Sequence, residues 1–465
     1  MQYISTRGQA PVLGFRDALL TGLARDGGLY IPETWPQLSH DTIRSFAGKP
    51  YAEVAKVVLA PFVEGEIEKS LFDSMIDDAY ATFHHPATVP LVQIGSNHYV
   101  MELFHGPTLA FKDVAMQLLS RMMDHALAER NQKATIVGAT SGDTGGAAVE
   151  AFRGRDNTDI FILFPEGKVS PVQQRQMTTV PDANVHALAI KGDFDDCQAL
   201  VKAMFNHHAF RDALQLSGVN SINWGRIMAQ IVYYFSCAAN LGSPQREVSF
   251  TVPTGNFGDI FAGYVAKRMG LPIDKLVIAT NRNDILARTL ETARYEKMAT
   301  NPTISPSMDI QVSSNFERLL FDAASRDASV VCRQMEGLKQ SGSFEIAPET
   351  IKNIREEFNA GSCGEDDTNA QIRRTLAESS YLADPHTAVG LHVAEKSTGN
   401  SSPMITLATA HPAKFPEAVQ SATGIHPALP ARTGDLMALE ERFKVLENDL
   451  ETVEAYIRSH SRAVQ

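Results

Sequence analysis

Residues 103–113 read Leu-Phe-His-Gly-Pro-Thr-Leu-Ala-Phe-Lys-Asp, and this stretch sets one lysine, Lys112, between a turn and a helix. The turn is His105, Gly106 and Pro107. From 114 to about 130, apolar residues recur at 114, 115, 118, 119, 122, 123, 126 and 127, one stripe at the 3.6-residue period of an amphipathic helix. A lysine in the first helical turn meets the positive end of the helix dipole, which disfavours ammonium and favours the free amine. An imine-forming lysine needs that state. Most lysines are solvated surface charges, so Lys112 gains weight only from its neighbours.

Downstream, short apolar or β-branched runs end in glycines or a capping residue and pass into a helix, the pattern of a parallel α/β sheet. Strands are expected at 134–138, 159–165, 248–252, 276–280 and 404–409. Helices are expected at 147–153, at 260–269, and after Ser170-Pro171, where Gln173 completes a capping box with proline at the first helical position. Such units place their loops at the carboxyl edge of the sheet, where open α/β folds bind ligands. Residues 1 to about 85 read as a mostly helical unit, with helical periodicity over 53–63 and 66–83. The chain thus divides into 1–85, 86–245 and 246–465. The expected fold class is α/β, with open, mostly parallel sheets, flanking helices and a helical N-terminal domain. A local excursion is expected over 340–375, with an exposed acidic loop at 361–367. Leu436, Leu439, Phe443, Leu446, Leu450, Val453 and Ile457 form three heptads of an apolar seam, expected to pack on the chain's own body.

A length of 465 residues suggests two or three domains and room for a buried cleft. The net charge of −12, without a cluster of Lys and Arg, argues against a nucleic-acid partner. The four cysteines have no C-x-x-C spacing, which suits a reducing compartment. The first residues carry no apolar signal-type core, and no run of 18 apolar residues suggests a membrane span, so the expected compartment is the cytoplasm. His84-His85 and His207-His208 are adjacent pairs whose side chains diverge on any regular backbone, and no H-E-x-x-H occurs, so no metal site is expected. No G-x-S-x-G elbow supports a serine hydrolase.

Two loops could hold anions. Pro253-Thr-Gly-Asn-Phe-Gly-Asp259 lies between a strand and a helix, and its glycines would let backbone N–H groups converge on a phosphate. It lacks the Gly-Lys-Ser/Thr ending of a Walker loop. Ala139-Thr-Ser-Gly-Asp-Thr-Gly-Gly146 offers the Ser141 and Thr144 hydroxyls and helix N-terminal amides to a small carboxylate or phosphate, and it misses G-x-G-x-x-G, which lowers a dinucleotide reading. Ser5-Thr6-Arg7-Gly8 is a further anion contact in principle, and more often a surface turn. A lysine, a phosphate cradle and a small-anion loop are together what a pyridoxal phosphate enzyme requires.

The chain resembles the threonine synthase family, in its longer bacterial and fungal branch, through YISTRG, GGLYIP, LFHGPTLAFKD, GATSGDTGGAA, FPEGKVSPVQQRQM, NSINWGRIMAQIVYY, PTGNFGDIFAGYVAKRMGLPI, SPSMDIQVSSNFERLLF, DPHTAVG and ATAHPAKFPEAV. The resemblance implies pyridoxal 5'-phosphate fold type II, like tryptophan synthase β, and conversion of O-phospho-L-homoserine and water into L-threonine and phosphate. It implies that Lys112 binds the cofactor as an imine and serves in turn as nucleophile and base. Gly255, Asn256, Phe257 and Gly258 would hold the cofactor phosphate, and Thr409 the pyridine nitrogen. Candidates for the substrate phosphate are Arg226, Lys168 and Arg7, with Ser141 and Thr144 closer to the carboxylate. Many fold relatives carry Asn where this chain has Asp143, so Asp143 is given no cofactor hydrogen bond. A serine/threonine dehydratase-like enzyme and a non-catalytic cofactor-binding relative are the alternatives, and the chain is expected to be a monomer or homodimer.

Overall fold

The computed structural model describes residues 1–397 and 402–464. Two sheets carry the architecture. The smaller has five strands, all parallel, in the order Lys444–Glu447, Val185–Lys191, Thr158–Pro165, Ala134–Ala139, Leu216–Ser217. The larger has six, in the order Phe358–Ser362, Ile273–Thr280, Val248–Pro253, Met404–Ala408, His98–Glu102, Leu91–Gln93, with only the last edge strand antiparallel. Thr158–Pro165 is buried at every position, as a strand covered on both faces must be, and its near-continuous apolar run reflects that.

The expected strands and helices recur within a few residues. The helix after Lys112 runs Lys112–Ala128, and Ser170 accepts from Gln173 N while Pro171 opens the helix Pro171–Thr178. Helix Trp224–Asn240 is buried at every residue but the last, predominantly apolar around its circumference, and acts as a central post. Helices Tyr51–Val63, Lys112–Ala128 and Gly258–Arg268 pack against it. The N-terminal unit adds helices Phe15–Thr21, His40–Arg44 and Lys69–Tyr80 and an antiparallel ribbon of Tyr3–Ser5 with Tyr30–Pro32. Its aromatic residues Tyr3, Phe15 and Phe62 share one core with Trp224.

Three expectations differ from the structure. Residues 436–457 form no continuous helix: a 3-10 turn, Leu436–Ala438, is followed by strand Lys444–Glu447 and helix Leu450–His460. Strand pairing claims Leu446, and with Val453 and Ile457 it is buried beside Phe161 and Leu188, whereas Leu439 and Phe443 are exposed. The acidic stretch 361–367 is exposed at Asp366 and Asp367 as expected, but it is not a loop. Phe358–Ser362 pairs at the sheet edge, and Glu365, Asp366 and Asp367 sit in the first turn of helix Glu365–Ser379, where the dipole stabilises them. Nor do the sheets follow the division at 245. Leu91–Gln93 and His98–Glu102 join the sheet built from later residues, and Lys444–Glu447 crosses the other way.

Candidate active site

Strands His98–Glu102 and Met404–Ala408 are parallel neighbours, and their pairing continues past their ends: Leu103 N donates to Ala408 O (3.0 Å), Phe111 N to Thr409 O (2.8 Å), and His411 N to Leu109 O (3.0 Å). The chain is thereby held to the carboxyl edge of the larger sheet until Lys112 opens its helix. Thr108 N and its hydroxyl both donate to Asp113 (2.8 and 2.7 Å), which closes the turn. Burial pushes the Asp113 carboxyl up to about 6 against those donors.

Lys112 is buried, and its Nζ stands 3.6 Å from Asp143 Oδ2. Burial, the largest influence, pushes its amine down from the ordinary lysine value; Asp143 pulls it back up, and Lys414 and Arg226 push it further down. Desolvation thus shifts Lys112 towards its free amine, the direction anticipated from the helix dipole. Asp143 opens helix Asp143–Phe152 from the smaller sheet and also meets Lys414 Nζ and Gln173 Nε2 on Oδ1, at 2.7 and 2.8 Å. Burial would raise its carboxyl, yet Lys414, then Lys112, then donation from Lys414 and Gln173 hold it well below the usual range. The two sheets thus meet across a lysine–aspartate–lysine line.

The loop between strand Val248–Pro253 and helix Gly258–Arg268 carries Gly255, Asn256, Phe257 and Gly258. Among the described residues, none accepts from their four N–H groups. Their carbonyls, by contrast, are engaged from behind: Ser313 Oγ donates to Gly255 O (2.6 Å), and Asn315 N and Nδ2 donate to Asn256 O (3.1 and 3.0 Å). Phe257 takes φ +64°, a left-handed turn that a bulky residue adopts only when its surroundings hold it. Packing of its ring on Phe316 and Phe358 holds it. The result is a row of unclaimed donors at a helix N-terminus, the arrangement that binds phosphate.

The remaining expected residues are placed as follows. Ser141 and Thr144 are half-buried at the head of the helix that Asp143 opens, where Thr140 Oγ1 takes the Gly142 and Gly145 N–H groups (both 2.9 Å). Thr409 is buried at the end of its strand, beside the segment that delivers Lys112. Arg226 is buried on the central post; its Nη1 donates to Val219 O (3.0 Å), and its Nε has no partner among the described residues. Burial lowers the guanidinium to about 10, so it remains a cation. Arg7 is doubly bonded to Glu317 at 3.1 and 3.0 Å. Lys168 is exposed in the turn before helix Pro171–Thr178, within electrostatic range of Asp193. Sequence reasoning missed Lys414 and Gln173 as partners of Asp143, and Ser313 and Asn315 as the backing of the loop. Only the Ala410-His-Pro-Ala-Lys414 ending of a strand hinted at the first.

Three family models match the chain: "Threonine synthase N terminus" over residues 2–80, "Pyridoxal-phosphate dependent enzyme" over 88–334, and "Threonine synthase, C-terminal" over 387–457. A threonine synthase of Pseudomonas aeruginosa is 52% identical, with 99% of this chain and 98% of that one covered. Among solved structures, the PLP-bound threonine synthase from Brucella melitensis superposes with a TM-score of 0.98 at 64% identity, covering 99% of this chain and 100% of that one. Yeast threonine synthase gives 0.94 at 39% identity, covering 99% and 98%.

Proposed function

Because the chain belongs to the threonine synthase family, we propose that the site between its two sheets holds pyridoxal 5'-phosphate on Lys112 and on the 255–258 loop. The enzyme converts O-phospho-L-homoserine and water into L-threonine and phosphate. Its own residues fit the cofactor: four N–H groups at a helix N-terminus have no acceptor among the described residues, and a buried lysine is shifted towards its free amine. A methyl group at position 255 would lie 2.6 Å from Ser307 O, so the loop is seated as tightly as glycine allows. When bound, pyridoxal phosphate supplies an electron sink for negative charge generated on the substrate.

The chain supplies the rest. Gly255, Asn256, Phe257 and Gly258 bind the cofactor phosphate through backbone donors, and the Thr409 hydroxyl serves the pyridine nitrogen. Lys112 Nζ is the nucleophile that holds the cofactor; released by the substrate's amine, it is the base that takes the proton from Cα. The Ser141 and Thr144 hydroxyls orient the substrate carboxylate. Arg226, a buried cation with an unclaimed Nε, binds the substrate phosphate. Arg7 is occupied by Glu317 and secures the N-terminal segment, and Lys168 serves at most at the rim. Burial of Lys112 and Arg226 keeps water from competing for them until it is added.

We further read the enzyme as cytoplasmic, a monomer or homodimer, without a nucleic-acid or membrane partner. Its charge of −12 and its free cysteines support this, and no helix among the described residues is long and apolar enough to cross a membrane.

The observation that carries the assignment is the buried Lys112 amine beside Asp143. Wild-type protein should show the visible absorbance of a lysine-bound cofactor and release one phosphate per threonine formed from O-phospho-L-homoserine. Lys112→Ala should lose both. Absorbance without phosphate release, or turnover of serine or threonine instead, would overturn the reaction; a fully active Lys112→Ala would overturn the role of Lys112.

A further inference from the structure

Lys414 has no exposed surface, and the chemistry above does not use it. Its ammonium engages two acceptors at 2.7 Å each, Asp143 Oδ1 and Thr108 O. Stripping water from a lysine and an aspartate together is costly, and a buried ion pair is weak evidence of added stability. Its location suggests another account. The second oxygen of Asp143 faces Lys112 Nζ at 3.6 Å. An unopposed carboxylate at that distance would hold Lys112 as ammonium, a form that neither attacks a carbonyl carbon nor takes a proton.

The charged groups facing Lys112 come from three elements: Asp143 from helix Asp143–Phe152, Lys414 from the turn Pro412–Lys414, and Arg226 from helix Trp224–Asn240. Asp113, on the helix of Lys112 itself, is taken up by Thr108. With Lys414 present, the carboxylate is already matched and the surplus is positive, which favours a neutral Lys112. Without it, Asp143 would turn to Lys112. Lys414 also fixes the geometry, because its second acceptor, Thr108 O, belongs to the turn that delivers Lys112.

We propose that Lys414 is a positioning residue of the reaction: its fixed charge neutralises Asp143, so that Asp143 orients Lys112 Nζ without converting it to ammonium. The assignment rests on Lys112 being the cofactor lysine.

The test uses holoenzyme of wild type, Lys414→Met, Lys414→Arg, Asp143→Asn and the double variant Asp143→Asn/Lys414→Met. Two readouts follow the proton on Lys112 Nζ: the pH titration of the visible absorbance, and the pH profiles of kcat and kcat/KM. Lys414→Met should move both midpoints up by about one pH unit or more, the effect of one uncompensated neighbouring charge. Asp143→Asn should move them down. The double variant should return them towards wild type even where kcat stays low, and Lys414→Arg should leave them in place. Unmoved midpoints in Lys414→Met, or no return in the double variant, would overturn the proposal and leave Lys414 a packing residue. Should Lys414→Met not fold, Asp143→Asn decides, an unmoved midpoint being the overturning result. If wild type shows no visible absorbance, Lys112 itself was misassigned, an outcome separate from any behaviour of Lys414.

Discussion

Replacing Gly255 by alanine tests whether the 255–258 loop holds the cofactor phosphate. The added methyl would meet Ser307 O at 2.6 Å and Ile310 Cγ1 at 3.2 Å. The first is a backbone atom, and Ser307 is itself held, its N–H donating to His386 Nε2 at 3.3 Å. Nor can Gly255 withdraw freely, because its carbonyl accepts from Ser313 Oγ. Overpacking of this kind costs about 1–3 kcal/mol. In the empty protein the loop relieves the clash by shifting and misaligning its N–H groups; binding phosphate must draw it back, so the cost falls on affinity. At 1.4 kcal/mol per tenfold, cofactor dissociation should rise roughly 5- to 150-fold. Gly258→Ala is the internal control, since its nearest contact, Ile227 Cδ1 at 3.2 Å, is the end of a flexible side chain, and a smaller loss is expected. The assay is titration of apoprotein with pyridoxal phosphate, followed by absorbance. Wild-type affinity in Gly255→Ala, or a greater loss in Gly258→Ala, would refute the reasoning.

Other outcomes follow from the same geometry. Arg226→Met keeps the volume and removes the charge, so KM for the phosphorylated substrate should rise roughly ten- to a hundredfold while the cofactor absorbance persists, as steady-state kinetics with a spectrum would show. Phe257→Ala removes a ring buried between Phe316 and Phe358 and should cost about 3–5 kcal/mol in urea unfolding. Burial lowers His98 from 6.5 to about 4, with Glu395 opposing. A depressed histidine contributes stability in full above 6.5 and loses it as pH falls towards 4, here on the order of 2–3 kcal/mol. His98→Gln, able to keep the bond to Thr406, cannot titrate, so its pH dependence of unfolding between 6.5 and 4 should be flatter than wild type by that amount. Equal slopes would show that His98 takes up its proton without resistance.

The parts of the site legible in the sequence are those written in consecutive residues. A helix stripe placed Lys112, and strand-to-helix punctuation located Gly255 to Gly258 and Ser141 to Thr144, because periodicity, caps and glycine act over a few residues. The C-terminal seam misled because spacings of 3 and 4 satisfy a helix template even where Lys444–Glu447 is drawn into a sheet by Val185–Lys191, and pairing of that kind overrides local pattern. The crossing of His98–Glu102 into the larger sheet was hidden for the same reason.

The sequence by itself determined the α/β class and the family, and it singled out Lys112 and two glycine-bearing loops as candidates, all through short motifs. Only the tertiary structure decided how those motifs work together. Lys414 reaches Thr108 across 306 residues, Ser313 and Asn315 brace the loop from behind, and Arg7 is drawn off to Glu317 while Arg226 keeps an open donor. The downward shift of the Lys112 amine belongs with these: its largest cause is burial, a property of the whole packed chain.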